Sequence, residues 1–293
     1  MRKLRIAVII FFLLSAGVFA GYRIESRLHT DQVPPVLTSD TDSISVSVEA
    51  EESELFRGLH AEDNADGDIT DEIRVASMSN FTERGRRTVN YAVFDSSGHA
   101  ATLSRELVYT DYTSPRITLN APLRFSLSEA EAWDTSEFLE LFQAQDCLDG
   151  DLSNAVQVNV EGNGYVSGAG DYTVNVQVSN SAGDVTAVPV RMTVTDPSDE
   201  GESEKYYPVL SQYIVYTSLG QGLDLYSLLT GLQHGSAQFI FGSEELSGEI
   251  TPASVAITDR TDYNTPGAYL VDYSYTTAEG VTAVTTLTVV VEE

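Results

Sequence analysis

The sequence has very few cysteines and histidines, and this limits the chemistry that the chain can carry. Cys147 is its only cysteine, so no disulfide can form within the chain and a cysteine-based zinc site is not expected. The four histidines do not occur at the spacing of paired metal ligands. Motifs for nucleophilic catalysis and for phosphate binding are also missing. We therefore expect a non-enzymatic protein with no catalytic residues and no organic cofactor.

Positive charge is also scarce. The chain has 16 Lys and Arg residues against 44 Asp and Glu residues, for a formal net charge of −28 at pH 7. A surface of this charge repels phosphate backbones, so the composition argues against nucleic acid as a partner. One basic stretch, Met1-Arg-Lys-Leu-Arg5, lies immediately before the longest apolar run.

That apolar run, residues 6–22, carries no charge and predicts an amino-terminal hydrophobic helix. A helix of this length spans about 25 Å, slightly less than a hydrocarbon core of about 30 Å. Two interpretations compete for residues 1–22. The small residues before Gly21 are typical of a signal peptide cleaved near Ala20, whereas Tyr22 and Arg23 are typical of a retained signal anchor. We favour the anchor, with a polar stalk at 23–32 and the rest of the chain outside the membrane.

An acidic motif occurs twice. Asp63-Asn-Ala-Asp-Gly-Asp-Ile-Thr70 recurs as Asp146-Cys-Leu-Asp-Gly-Asp-Leu-Ser153, 83 residues later. Each copy is followed by a glycine and then by three apolar residues with a period of two, which predicts a turn and a strand with one buried face. A third block keeps the glycine and the apolar trio. The trios are Val89, Tyr91 and Val93; Val174, Val176 and Val178; and Val271, Tyr273 and Tyr275.

Each trio leads into a turn and a second alternating run, which together predict a terminal β-hairpin in every block. A repeat of this length is a domain, so the chain reads as three tandem β domains. We predict their bounds as 33–111, 112–196 and 205–293. The segment 197–204 between the last two is acidic and has no apolar residues, so we expect a flexible linker.

The order of these motifs resembles the bacterial immunoglobulin-like (Ig-like) modules of the DUF5011 type, also described as the pesticidal-crystal-protein Ig-like domain. Blocks one and two match well, whereas block three matches only in its carboxyl half, with Ser247-Gly-Glu-Ile250 as a remnant of the acidic motif. The resemblance implies an all-β protein with three tandem Ig-like β-sandwiches after the hydrophobic helix. It also implies export in bacteria, a structural or adhesive role and no catalytic residues.

The acidic motif has two interpretations. Three carboxylates around a glycine suggest a calcium-type site, because calcium binds six to eight oxygen ligands. The candidate ligands are Asp63, Asp66, Asp68, Asp146, Asp149 and Asp151. However, neither copy has the glutamate that completes an EF-hand loop. Asp-Gly also forms turns in which neighbouring aspartates accept backbone hydrogen bonds, and we favour this structural turn.

These observations predict a membrane-anchored surface protein whose Ig-like modules bind protein or glycan at the cell envelope. Two alternatives stay open. The chain could be an accessory subunit of an envelope complex, or a spacer stiffened by calcium. Strand aromatics such as Tyr273 and Tyr275 could form a sugar-binding platform, although packing in a sandwich core explains them better.

Overall fold

The computed structural model describes residues 2–29, 31–131, 138–161, 166, 168–243 and 250–293. The chain divides into two compact units, Met1–Asp111 and Tyr112–Glu293. The first unit contains an amino-terminal helix and one β-module, and the second contains two β-modules. The predicted all-β class with repeated Ig-like sandwiches is confirmed.

Module one has two sheets, with strand orders β1-β3-β4 and β2-β7-β6-β5. Its strands are β1 (Val36–Ser39), β2 (Ser43–Val46), β3 (Leu59–Asp63), β4 (Gly67–Asp68), β5 (Arg74–Met78), β6 (Arg86–Phe94) and β7 (Ala100–Tyr109). All pairs are antiparallel except β2 with β7, which is parallel. The second strand of the module thus lies beside the last.

The other two modules repeat this topology. In module two the sheets are β8-β10-β11 and β9-β14-β13-β12, formed by β8 (Arg116–Leu119), β9 (Leu123–Ser126), β10 (Phe142–Asp146), β11 (Gly150–Asp151), β12 (Gln157–Val160), β13 (Gly170–Ser179) and β14 (Val185–Thr195). In module three they are β15-β17-β18 and β16-β21-β20-β19, formed by β15 (Tyr207–Leu210), β16 (Ile214–Ser218), β17 (Leu229–His234), β18 (Ala237–Ile240), β19 (Ala256–Asp259), β20 (Gly267–Thr276) and β21 (Thr282–Glu292). The parallel pairs are β9 with β14 and β16 with β21.

The predicted terminal hairpin is present in every module, as β6–β7, β13–β14 and β20–β21. Gly85, Gly170 and Gly267, which precede or begin its first strand, all have positive φ angles, which favour glycine. Each apolar trio faces the interior of its sandwich, with one exception. The exception is Tyr275, which is only partly buried.

Modules two and three share one continuous hydrophobic core, so the expected flexible hinge at 197–204 is wrong. Tyr213 donates a backbone hydrogen bond to the Leu119 carbonyl at 2.8 Å. The Tyr216 hydroxyl accepts from the Ile117 backbone N–H at 2.7 Å and donates to the Ile117 carbonyl at 3.0 Å. The segment is acidic, as its composition indicates, but the apolar faces on either side of it pack together and restrict its motion.

The amino-terminal helix α1 spans Arg2–His29 and is longer than predicted. The helix continues through residues 23–29, which form most of the polar stalk expected at 23–32. In the residues that the structure describes, no helix has both the length and the apolarity required to cross a membrane. The signal anchor through residues 6–22 stays a prediction.

Other helical elements are short. Helix α2 spans Leu127–Glu131, and 3-10 turns occupy Glu52–Phe56, Thr70–Glu72, Ser153–Ala155, Glu202–Glu204, Leu225–Leu228 and Pro252–Ser254. Strand β17 begins directly after the 3-10 turn at Leu225–Leu228. Most of the motif remnant expected at 247–250 lies outside the described residues.

Candidate functional site

The first aspartate of each acidic motif caps the turn that follows it. Asp63 ends β3, and its Oδ1 accepts hydrogen bonds from the backbone N–H groups of Ala65 at 2.8 Å and Asp66 at 3.0 Å. In module two, Oδ1 of Asp146 accepts from Leu148 at 2.9 Å and from Asp149 at 3.0 Å. This is the hydrogen-bond pattern of a structural Asx turn.

The second aspartate of the motif binds the turn of the terminal hairpin. Asp66 accepts hydrogen bonds from the backbone N–H of Ser96 at 2.7 Å and from its hydroxyl at 2.8 Å. Asp149 accepts the same pair from Ser181, at 2.6 Å and 2.7 Å. The motif therefore joins the β3–β4 loop of module one, and its counterpart in module two, to the terminal hairpin.

The third aspartate serves the next turn. Oδ1 of Asp68 accepts from the Thr70 backbone N–H at 3.0 Å, and Oδ1 of Asp151 accepts from the Ser153 backbone N–H at 2.9 Å. These side-chain and backbone hydrogen bonds lower the pKa of Asp68 and Asp151 below the usual range. The three carboxylates of each motif thus hold three different turns. Calcium binding by this motif stays a prediction.

A groove lined by aromatic side chains is a candidate binding surface in module three. Its volume is about 700 Å³, within the range of small-molecule sites. It lies between the segment before β15, strands β17 and β18, and the end of β20. Its lining residues are Ser203, Glu204, Tyr206, His234, Phe239, Ile250, Tyr275, Thr277, Ala278 and Glu279.

Aromatic contacts define the geometry of this groove. The rings of Tyr206 and His234 are stacked, with centroids 4.2 Å apart and planes at 12°. Phe239 and Tyr275 lie 6.2 Å and 6.3 Å from the Tyr206 centroid. Such pairs hold one another in place, so the groove presents a preformed aromatic surface.

Polar groups complete the groove. Nδ1 of His234 lies 3.1 Å from the Lys205 carbonyl, which can only accept, so this nitrogen carries the hydrogen. In the neutral ring Nε2 is then an acceptor. Burial raises the pKa of the Tyr275 hydroxyl, as do Tyr206 and Glu279. Within the described residues, the hydroxyls of Tyr206 and Tyr275 make no hydrogen bond and are available to a ligand.

The sequence analysis found this surface only in part. Tyr273 is a core residue whose hydroxyl donates to the Leu225 carbonyl at 2.8 Å, as expected from packing. Tyr275, two residues later, reaches the groove. The partners Tyr206, His234 and Phe239 come from separate segments that folding brings together. The one sequence signal was a tyrosine in the third trio position, where modules one and two have valine.

Residues 42–108, most of module one, match the family model described as bacterial surface protein, Ig-like domain. The match supports a bacterial surface Ig-like domain, and the narrower DUF5011 type stays a prediction. No curated protein is similar enough to the chain to count as a relative.

Several solved structures are similar to the chain, with low sequence identity and low TM-scores. One is CBM51-2 in complex with GlcNAc and INT domains from Clostridium perfringens ZmpB, with 19% identity, a TM-score of 0.22, and coverage of 53% of this chain and 26% of that one. Another is surface layer protein SbsC, domains 6-7, with 14% identity, a TM-score of 0.22, and coverage of 56% and 99%. A third is Drosophila N-cadherin EC1-4, with 12% identity, a TM-score of 0.22, and coverage of 89% and 76%. The chain spans 26–49% of the length of the first three matching structures.

Proposed function

We propose that the protein is a non-catalytic adhesive protein of the bacterial cell surface that binds glycan through the aromatic groove of module three. The observation that carries the proposal is the preformed group of Tyr206, His234, Phe239 and Tyr275 in an open groove. The surface location is supported by the family match of module one.

The groove has the chemistry that a sugar requires. The C–H faces of a sugar ring are apolar and pack on aromatic side chains, while its hydroxyls need donors and acceptors at the rim. Glu204 and Glu279 supply acceptors, and the hydroxyls of Tyr206 and Tyr275 supply both functions. Because the two glutamates are exposed and negative, we infer a neutral glycan rather than a uronic-acid or sulfated one.

The proposal is tested by isothermal titration of the full chain with neutral hexose and N-acetylhexosamine oligosaccharides. Sulfated and uronic-acid oligosaccharides serve as the acidic comparison. We expect only the neutral sugars to bind. Tyr206→Ala and Tyr275→Ala should each weaken the affinity about tenfold or more, because each removes an aromatic wall.

The matched control is Tyr226→Ala. Tyr226 is a tyrosine of module three that is 50% exposed and does not line the groove. This variant should bind as the unmodified chain does. Wild-type affinity in both groove variants, or preferential binding of acidic sugars, would contradict the proposal.

A further inference from the structure

A second cluster of polar groups lies in module one, apart from the aromatic groove. Asp31 precedes β1, while Asp95 and His99 flank the β6–β7 turn. One carboxylate oxygen of each aspartate and one ring nitrogen of His99 all lie within 4.8 Å of one another. Nδ1 of His99 is 2.7 Å from Oδ2 of Asp95, whose side chain is only 1% exposed. Asp31 and the terminal hairpin are thereby brought together.

One oxygen of this cluster lacks a donor. Oδ1 of Asp31 accepts from the Asn64 amide at 3.0 Å and from the Val33 backbone N–H at 3.2 Å, but Oδ2 of Asp31 is buried and has no hydrogen-bond partner in the described part of the chain. Oδ2 of Asp63, in the acidic motif, also has none. Asp63 as a whole is 8% exposed. A buried carboxylate oxygen without a partner is costly. The ring nitrogen of His99 at this point is already hydrogen-bonded to Asp95.

In module two, neutral donors form hydrogen bonds with the carboxylates at the equivalent hairpin turn. Asn180 occupies the position of Asp95, and its amide donates to Oδ2 of Asp146 at 3.2 Å, where Asp146 corresponds to Asp63. The same amide donates to the Tyr112 hydroxyl at 2.8 Å, and that hydroxyl donates to Oδ2 of Asp184 at 2.7 Å. In module two, therefore, the Oδ2 oxygens of Asp146 and Asp184 both accept hydrogen bonds.

We propose that Asp31, Asp95 and His99 bind a divalent transition-metal ion, with zinc as the best match. The metal would supply the positive charge that these carboxylates lack. An imidazole with two carboxylates is a donor set typical of zinc or manganese, whereas calcium prefers oxygen ligands alone. The site differs from the predicted calcium ligands of the acidic motif. It would fasten the segment before β1 to the terminal hairpin of module one.

The test is metal titration of the full chain in detergent, after treatment with chelator and removal of any histidine tag. We expect one equivalent of Zn²⁺ per chain, weaker binding of Mn²⁺, and a higher melting temperature of unit one with metal. X-ray absorption should show one imidazole nitrogen with oxygen ligands. His99→Ala should remove binding.

Two further variants make the result specific. Asp31→Asn lies outside the strands, so it should lose zinc binding while the fold is kept. The matched control is His60→Ala, because His60 also lies near a carboxylate, 3.6 Å from Asp40, but its side chain is 60% exposed. His60→Ala should bind zinc normally. The proposal is overturned if no zinc binds, if the His99 and Asp31 variants bind as the unmodified chain does, or if calcium is preferred at these residues.

Discussion

Arg105 occupies an inward position of β7, within the core of module one, and is only 2% exposed. Its Nη1 donates to the Arg57 carbonyl at 2.8 Å, and its Nη2 donates to the Leu55 carbonyl at 2.5 Å. The guanidinium also lies 5.1 Å from the centroid of the Tyr91 ring. No carboxylate forms an ion pair with it in the described residues. The positive charge is therefore balanced by carbonyl dipoles and one aromatic face.

The effect of removing this side chain follows from these contacts. The hydrogen bonds and the cation–π contact stabilise the folded state, but burial of the ion costs several kcal/mol, so the charge itself contributes little net stability. The remaining loss of stability in Arg105→Ala comes from the cavity that the side chain leaves and from one carbonyl that loses its donor. The Leu55 carbonyl keeps the Tyr91 hydroxyl, at 2.7 Å. We expect Arg105→Ala to lower the free energy of unfolding of unit one by about 2–4 kcal/mol.

The equivalent position in module three shows which apolar residue can replace Arg105. Arg105 pairs across the hairpin with Val89, and the equivalent pair in module three is Val271 with Leu287, a fully buried residue. Arg105→Leu fills most of the space without a buried charge. It should therefore cost only about 1 kcal/mol.

The measurement is amide hydrogen exchange of β6 and β7 in the full chain, which reports the free energy of opening in unit one. The control is Arg86→Ala, which removes exposed ion pairs with Glu83 and Glu106 and should change stability by less than about 1 kcal/mol. If Arg105→Ala changes the opening energy no more than this control, or if Leu is as costly as Ala, the reasoning is refuted.

Three further predictions concern other polar contacts. Hydrogen bonds from Ser47 and Val48 hold the pKa of Asp111 below its usual range. This carboxylate therefore stabilises unit one at pH values above its unfolded pKa of about 3.9, and the stabilisation is lost as the pH falls through its folded pKa. Asp111→Asn should lower the calorimetric melting temperature at pH 7, with the difference from wild type disappearing in acid. Arg124 donates hydrogen bonds to Gln233 and Thr285, so Arg124→Ala should lower the free energy of unfolding of the unit of modules two and three by about 2–4 kcal/mol. Urea unfolding monitored by circular dichroism measures this change. Asp66→Ala and Asp149→Ala should lower melting equally with calcium and with chelator if the motif is a turn, whereas a calcium-dependent melting shift lost in both variants would support a calcium site.

The periodic parts of the fold were predictable because local geometry determines them. A glycine, an apolar trio and a second alternating run specify a hairpin with one buried face, and all three hairpins are present. The same alternation placed Arg105 on the inward face between Leu103 and Leu107. Charge alone would have predicted the opposite face, and only its partners in the folded core show how the guanidinium is accommodated.

The long-range contacts were not predictable. Composition indicated a flexible acidic segment between modules two and three, but composition does not report which apolar surfaces meet on either side of it. The candidate sites were not predictable for the same reason, because folding brings together residues that are far apart in the sequence. Asp31 and His99 are 68 positions apart, and Tyr206 and Tyr275 are 69 apart, so neither pair forms a sequence motif.

Both proposed sites involve the turn of the terminal hairpin, and this location has a physical reason. Gly98, Gly183 and Gly280 have φ angles of 89°, 81° and 88°, so the turn backbone is closely similar in the three modules. The adjoining strands are held by long antiparallel ladders, which leaves the other turn side chains free to vary. In module one these side chains belong to the proposed metal site, in module two to a hydrogen-bond network with neutral donors, and in module three to the aromatic groove. A repeated scaffold can therefore acquire a different surface chemistry at one turn of each copy without a change in topology.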